Sequence, residues 1–291
     1  MNNIKIVKRQ SWGPDVELNY KYFTFSGGEV SIKLDVGNYR FFESKAPVKL
    51  IARIQNSNDF FALANIKNAL EELGEKDIQL FIPYLSYSRQ DRCCAAGESF
   101  SLKVFADLLN SLNFTKITTL DCHSDVGPAV IDNIKNIKQL DVIAKTPINE
   151  YFCQQKNLIF VSPDVGANKK TSELAKYFMH EKFIRADKLR DLNTGKILET
   201  IVYADDLSGC TVAICDDLID GGFTFTELAR VLKSKGAEKI ILYTTHAIFS
   251  KGVVPLFESG INEIVVTNSF KTDYPKDEPR LKVFDIEGLV K

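Results

Sequence analysis

The segment "CDDLIDGGFTF", residues 215–225, sets three carboxylates, Asp216, Asp217 and Asp220, beside Gly221 and Gly222 directly after an apolar run. Glycines at a strand-to-helix turn let backbone N–H groups approach an anion closely, and the helix adds the positive end of its dipole. Thr224 can cap that helix or donate to the same anion. Asp216 and Asp217 would repel a phosphate at contact distance, so ribose hydroxyls or a hydrated Mg2+ are their natural partners. A phosphate at one end and a diol at the other describe a sugar phosphate. The competing reading is an ordinary capped turn, with acidic residues near a helix N-terminus.

The elements that must position these residues are legible as apolar, β-branched runs: "VKLIARI" (48–54), "IQLFIPYL" (78–85), "KITTLDC" (116–122), "NLIFVSPD" (157–164), "TVAICDD" (211–217), "KIILYTTH" (239–246) and "NEIVVTNS" (262–269). Continuous runs of this kind suit strands buried on both faces. Between them lie segments of helical spacing: "DFFALANIKNALEELG" (59–74), "SFSLKVFADLLNSLN" (99–113), "KTSELAKYF" (170–178) and "TFTELARVLKSKG" (224–236). Gly74 and Gly236 stand where a helix ends with positive φ. The alternation predicts an α/β fold, a parallel sheet covered by helices. The grammar runs twice, so two domains are expected, residues 1–145 and 146–291, with "KQLDVIAKTPINEYF" interrupting the pattern near the boundary. "YFTFSGGEVSIKLD" (22–35) alternates like a hairpin.

Composition excludes other classes. The 291 residues carry 37 Lys plus Arg against 38 Asp plus Glu, so a net charge of −1 gives no global reason to bind nucleic acid or an acidic membrane. Any anion site must be local. The six cysteines, at 93, 94, 122, 153, 210 and 215, have no CxxC pair and no spacing of a zinc site or disulfide framework. The N-terminal "MNNIKIVKRQSWGPD" lacks the apolar core of a signal peptide, and no run reaches the roughly 18 apolar residues of a membrane span. A cytoplasmic protein is expected.

The segment at 215–225 resembles the 5-phosphoribosyl diphosphate (PRPP) loop shared by phosphoribosyltransferases and ribose-phosphate diphosphokinases. The first half chooses between them. "FIPYLSYSRQDR" (81–92) resembles the PYxxYxRQD segment of the diphosphokinases, and "FSGGEVSIKL" (25–34) their FxxGE nucleotide loop. "TLDCHSD" (119–125), "VSPDVGANKK" (161–170) and "THAIFS" (245–250) resemble their D-x-H, VSPD-x-G and TH-x-(I/V)-F-S segments. These segments stand in the right order across nearly the whole chain. The resemblance implies two phosphoribosyltransferase-like, Rossmann-like domains, the first binding ATP and the second ribose 5-phosphate.

Residue by residue, it implies ATP contacts at Phe25, Gly27, Glu29, Arg89, Gln90, Asp91 and His123. Arg89 offers a planar fork to phosphate or a face to adenine, and Gln90 can hydrogen-bond a base edge. It implies Mg2+ contacts at His123 and Asp164, which follow strands "KITTLDC" and "NLIFVSP", and ribose 5-phosphate contacts at Asp216, Asp217, Asp220, Gly221, Gly222, Phe223 and Thr224. "RADKLRDLNTG" (185–195) resembles the mobile catalytic loop, with Lys188 and Arg190 neutralising the transferring phosphates; on composition alone it is a solvated charged hairpin. The implied reaction is attack of the 1-hydroxyl of ribose 5-phosphate on the β-phosphorus of ATP, giving PRPP and AMP, in a homo-oligomer. Two alternatives stay open: a PRPP-using phosphoribosyltransferase, and a non-catalytic regulatory homologue.

The sequence departs from the family's DDxxDTGGT at two places, with Gly221 for Thr and Phe223 for the second Gly. A positive φ at residue 223 would strain Phe; the alternative is a glycine displaced by one position. "CCAAGESFSLK" (93–103) and "SDVGPAV" (124–130) also differ, in regions that contribute to subunit contacts and regulation in the family.

Overall fold

The computed structural model describes residues 3–10, 14–180, 182–190 and 197–290. The chain divides into two compact units, Met1–Ile137 and Lys138–Leu289. Each is built on a mainly parallel sheet flanked by helices, the expected α/β architecture.

In the first unit, among the described residues, a six-stranded sheet has the order β2 (Val16–Glu17), β1 (Ile4–Lys8), β5 (Val48–Ala52), β6 (Ile78–Phe81), β7 (Lys116–Leu120) and β8 (Ile134–Ile137). β5 to β8 run parallel, and β1 is antiparallel to both its neighbours. The hairpin expected at 22–35 is present as a two-stranded ribbon, β3 (Tyr20–Thr24) and β4 (Val30–Leu34). Helices α1 (Tyr39–Glu43), α2 (Ser57–Glu72), α3 (Ser101–Ser111) and α4 (Val126–Val130) complete the unit. α2 begins with a reciprocal capping box between Asn56 and Asp59, which satisfies two otherwise orphaned donors. It buries Ala62, Leu63, Ile66 and Leu70, the spacing of one helical face.

The second unit opens with α5 (Gln139–Ala144) and α6 (Ile148–Cys153), followed by β9 (Leu158–Ser162), α7 (Asn168–Tyr177), β10 (Ile184–Arg190) and β11 (Ile197–Val202). Then come β12 (Thr211–Ile219), α8 (Phe223–Ser234), β13 (Lys239–Ala247), α9 (Val254–Glu258), β14 (Glu263–Thr267) and β15 (Leu281–Phe284). The sheet order among the described residues is β11-β10-β9-β12-β13-β14-β15, parallel except for β11.

Alternation along the strands sorts the apolar side chains between two cores. Val212, Ile214, Ile240 and Leu242 pack with Leu228, Ala229 and Leu232 of α8. Ala213, Cys215, Ile241 and Tyr243 pack on the other side with Phe152 and Leu174. That two-sided burial is why these strands read as unbroken apolar runs. Strand order also reverses here: after β9 the chain adds β10 on one side and later β12 on the other. The carboxyl ends of β9 and β12 therefore flank a topological switch point, where ligands collect in open α/β sheets.

Leu228 is fully buried, whereas Phe223, the first residue of α8, is 62% exposed. Leu228→Ala is expected to destabilise the second unit by about 2–5 kcal/mol and Phe223→Ala by no more than about 0.5 kcal/mol. Urea midpoints of the two variants check the contrast.

Candidate active site

β12 and β13 are the long strands of the second sheet, and they carry the acidic segment to its turn. Asp216 pairs in register with Thr244 and Ile219 with Ala247, and the Ile248 N–H donates to the Ile219 carbonyl at 2.8 Å. The chain then reverses at Gly221 and Gly222. Gly222 has φ +80, the left-handed region, while Phe223 is the first residue of α8 and is not among the positive-φ positions. The strain feared at Phe223 does not arise, because the glycine conformation falls on Gly222. A Cβ on Gly222 would also lie 2.9 Å from Leu256 Cδ2, so both backbone conformation and space demand glycine there.

The helix cap is Gly222 and not Thr224, which lies half-buried inside the first turn. No side chain caps α8, so its first amides lack the usual side-chain acceptor and face outward at the positive end of a helix dipole. Phe225 and Thr226 donate their N–H groups to the Gly222 carbonyl, and the Thr226 hydroxyl donates to Phe223 O at 2.8 Å.

The carboxylates gather at the switch point. Burial holds the Asp216 carboxyl well above the usual carboxylate range, with further upward push from the charges of Asp217 and Asp164. The Asp217 N–H donates to Asp216 Oδ1 at 2.9 Å, and Gln139 Nε2, from the start of α5, donates to the Asp216 carbonyl at 2.7 Å. Asp164 follows β9 in extended conformation and caps the short turn Val165–Ala167, its Oδ1 accepting from the Ala167 N–H at 3.2 Å. The structure thus brings Asp164, Asp216 and Asp217 together. Among the described residues no group of three or more His, Cys, Asp or Glu side chains is arranged to hold a metal by itself.

In the first unit, the residues after β6 and β7 meet at the ends of adjacent parallel strands. Asp91 is buried, accepts from Arg92 Nε at 2.7 Å and from its terminal nitrogen at 3.1 Å, and hydrogen-bonds Ser124. These bonds to Arg92 and Ser124, with the charges of Arg92 and His123, bring the Asp91 carboxyl down to about 2. Arg89 and Gln90 are exposed on the same turn. The turn is anchored by the Ser86 hydroxyl on the Ile54 carbonyl at 2.8 Å and by Tyr87, whose ring lies 5.2 Å from that of Phe105. His123 is exposed just past Asp121, a buried residue with φ +40.

Phe25, Gly27 and Glu29 form a separate group at the tip of the β3–β4 ribbon. Phe25 N–H donates to Glu29 O at 2.8 Å, and the Phe25 ring, 57% exposed, meets Phe23 edge-on at 5.1 Å. Lys188 and Arg190 lie on β10, where Lys188 pairs with Thr200 of antiparallel β11. Arg190 pairs with Ile197 after a register shift between Leu189 and Arg190, and residues 191–196 of the segment expected as a mobile loop lie outside the described residues.

Sequence reasoning missed Arg92, Ser124 and Gln139. The pairing of Arg92 with the neighbouring Asp91 was available from adjacency, since opposite charges on consecutive residues can meet. Nothing local links Gln139 to Asp216, which is 77 positions away.

Two parallel α/β units, with an acidic crevice at a topological switch point and an open helix N-terminus beside it, define a protein of the doubly wound, sugar-phosphate-binding or nucleotide-binding class. Family models agree. That described as the N-terminal domain of ribose phosphate pyrophosphokinase matches residues 18–112, and the phosphoribosyl synthetase-associated domain matches residues 186–291. A ribose-phosphate pyrophosphokinase of Chromobacterium violaceum is 32% identical over 91% of this chain and 80% of its own length. Ribose-phosphate pyrophosphokinase 2 of Archaeoglobus fulgidus is 27% identical over 86% and 87%. The crystal structure of phosphoribosylpyrophosphate synthetase from Mycobacterium smegmatis shares the fold, with a TM-score of 0.79 over 94% of this chain and 88% of that one at 23% identity. The chain belongs to the ribose-phosphate pyrophosphokinase family.

The lowered Asp91 pKa has a definite sign in stability. The ionised carboxylate stabilises the fold at every pH above its unfolded value of about 4, and that contribution disappears as pH falls through about 2. Asp91→Asn should therefore lower stability at pH 7 by about 1 kcal/mol, the pairing with exposed Arg92 being screened by water. Urea titrations of both proteins should show the gap narrowing between pH 4 and pH 2.

Proposed function

We propose that this chain is a Mg2+-dependent ribose-phosphate diphosphokinase that joins ribose 5-phosphate to the β,γ-diphosphoryl group of ATP, giving PRPP and AMP. The observation that carries this reading is the convergence of Asp164, Asp216 and Asp217 at the switch point, next to the Gly222 turn and the uncapped start of α8. Carboxylates suit the ribose hydroxyls, and the backbone amides with the helix dipole suit the 5-phosphate. Asp220, Gly221, Gly222, Phe223 and Thr224 form that phosphate end. Family membership favours this direction of chemistry over that of a PRPP-consuming transferase.

The first unit is assigned to ATP. Arg89 and Gln90 are exposed and sit on an anchored turn, so they are available to a nucleotide; Phe25, Gly27 and Glu29 present an aromatic face and a carboxylate at a ribbon tip. Asp91 acts through Arg92 and Ser124, shaping the turn that carries Arg89. Burial of Asp216 beside the charges of Asp217 and Asp164, which together hold its carboxyl up, fits a divalent cation as counter-charge. Asp164 in the second unit and His123 in the first would each offer Mg2+ a single ligand. A bound Mg2+ would neutralise phosphate charge while drawing the rest of its shell from water and substrate. Lys188 and Arg190 would supply further positive charge to the transferring group.

Transfer of this kind relies on alignment and charge neutralisation and requires no protein nucleophile. Among the described residues no helix is long and apolar enough to cross a membrane, and the reading places the protein in the cytoplasm. Val104 and Leu108, a helical turn apart on α3 and 56% and 52% exposed, support the homo-oligomer.

Purified protein with ATP, ribose 5-phosphate and Mg2+ should release AMP, measured by coupled assay or chromatography. AMP no higher than in a blank without ribose 5-phosphate would overturn the reading, and consumption of PRPP with a free base would favour the transferase. Lys188→Ala should cut turnover by about 100-fold, as for loss of a group stabilising transition-state charge. ATP affinity should change little; unchanged turnover removes Lys188 from the catalytic role.

A further inference from the structure

Gly221 contributes no side chain to the turn proposed to hold a phosphate, and its bare face is covered from another loop. A Cβ built on Gly221 would lie 3.8 Å from Lys251 Cγ and 3.9 Å from Ser250 Oγ, ordinary contact distances. Ser250 and Lys251 are both exposed. The loop that carries them is held from several sides. Phe249 has φ +56, a left-handed conformation rare for an aromatic residue, and its ring is buried edge-on against Tyr274 at 6.0 Å. The Tyr274 hydroxyl donates to the Ala247 carbonyl at 2.7 Å, and the Gly252 N–H donates to Phe249 O at 2.9 Å. Ile248 ties the start of the loop to Ile219, immediately before Asp220. A strained residue persists only where its surroundings over-determine it. The result here is a fixed base for Ser250 and Lys251 beside residues 220–222.

Electrostatics give that placement a purpose. The turn directly follows the acidic run Asp217 to Asp220 in the chain, and the end of a helix dipole supplies only about half an elementary charge against such carboxylates. A lysine supplies a whole one, on a flexible stem that reaches a ligand arriving from solvent.

We propose that Lys251 is a specificity-determining residue that binds the 5-phosphate of ribose 5-phosphate at the Gly221–Gly222 turn, with Ser250 as a second donor on the face that Gly221 leaves bare. This rests on the assignment of residues 220–224 to the phosphate end of the site. Lys251 distinguishes ribose 5-phosphate from unphosphorylated sugars by charge, independently of the carboxylates that meet the ring hydroxyls.

Calorimetric titration with ribose 5-phosphate tests the assignment without depending on turnover. Lys251→Ala should weaken ribose 5-phosphate binding by about tenfold or more, the effect of one charge-assisted contact. ATP binding should stay the same, and Lys251→Arg should retain most of the affinity. Gly221→Thr in the Lys251→Ala background should recover part of the loss. Equal affinity of wild type and Lys251→Ala, or a wild type that does not bind ribose 5-phosphate, overturns the proposal. AMP release measured on the same samples separates the two readings. A wild type that releases AMP, with affinity unmoved in Lys251→Ala, removes only the lysine assignment. A wild type that binds ribose 5-phosphate through Lys251 without releasing AMP removes the diphosphokinase reading and keeps the lysine.

Discussion

Repulsion among three carboxylates at the carboxyl ends of β9 and β12 is the constraint around which the second unit is organised. Burial makes ionisation of Asp216 expensive, and Asp217 and Asp164 add like charge, so the cluster is stable only with protons, cations or hydrogen-bond donors. The fold holds it nonetheless. β12 and β13 extend their pairing through Asp216 to Ile219, Gln139 fixes the Asp216 carbonyl, and the Val165–Ala167 turn fixes Asp164. Local strain of this sort is tolerated because the two apolar cores on either face of the sheet supply the stability that the crevice lacks.

The neighbouring turn, proposed to hold the 5-phosphate, follows the opposite logic, with few side chains and much backbone. Gly222 turns left-handed over Leu256, which leaves no room for a Cβ and sets the axis of α8 so that its uncapped first turn meets the end of β12. A capping side chain at that position would occupy amides that an anion can otherwise use. Phe223 is accommodated because the helical region begins with it, its ring directed outward. Phe223 therefore adds an exposed ring beside the turn, while the left-handed conformation falls on Gly222.

Much of the framework was legible because the relevant signals are local. Each of the seven apolar runs contains a strand, since residues buried on both faces of a parallel sheet leave a continuous hydrophobic stretch. α8 was legible from Phe225, Leu228, Ala229 and Leu232, and the ribbon at 22–35 from its alternation around Gly27 and Gly28. β1 was not, because "IKIVK" is short and its place in the sheet comes from pairing with β5, more than 40 residues away. β10 was hidden by the charged residues of "IRADKLR", and its pairing with β11, which shifts register between Leu189 and Arg190, is fixed by the partner strand. In the candidate site, residue identities and strand ends were readable. The supports were not: Gln139 against Asp216, Ser124 against Asp91 and the Phe249 loop against Gly221 are all contacts made by tertiary folding.

Asp91 and Asp216 show how environment drives two carboxylates of one chain in opposite directions. Asp216 lies within β12 towards its carboxyl end, and Asp91 in the turn segment that follows β6, each among polar residues. Asp91 has its own cation: Arg92 grips both oxygens, Ser124 donates to it, and its carboxyl is driven down. Such a group has its charge already answered, and what it offers a ligand is the shape of the turn it holds. Asp216 is driven up, by burial and by other carboxylates, with a side-chain hydrogen bond to Asp217 and the Asp217 N–H beside it and the Gln139 amide on its carbonyl. A half-buried acid among other carboxylates gains free energy from any cation or hydroxyl donor that reaches it. Arg92 is committed to the protein through both oxygens of Asp91, on the turn that carries the exposed Arg89.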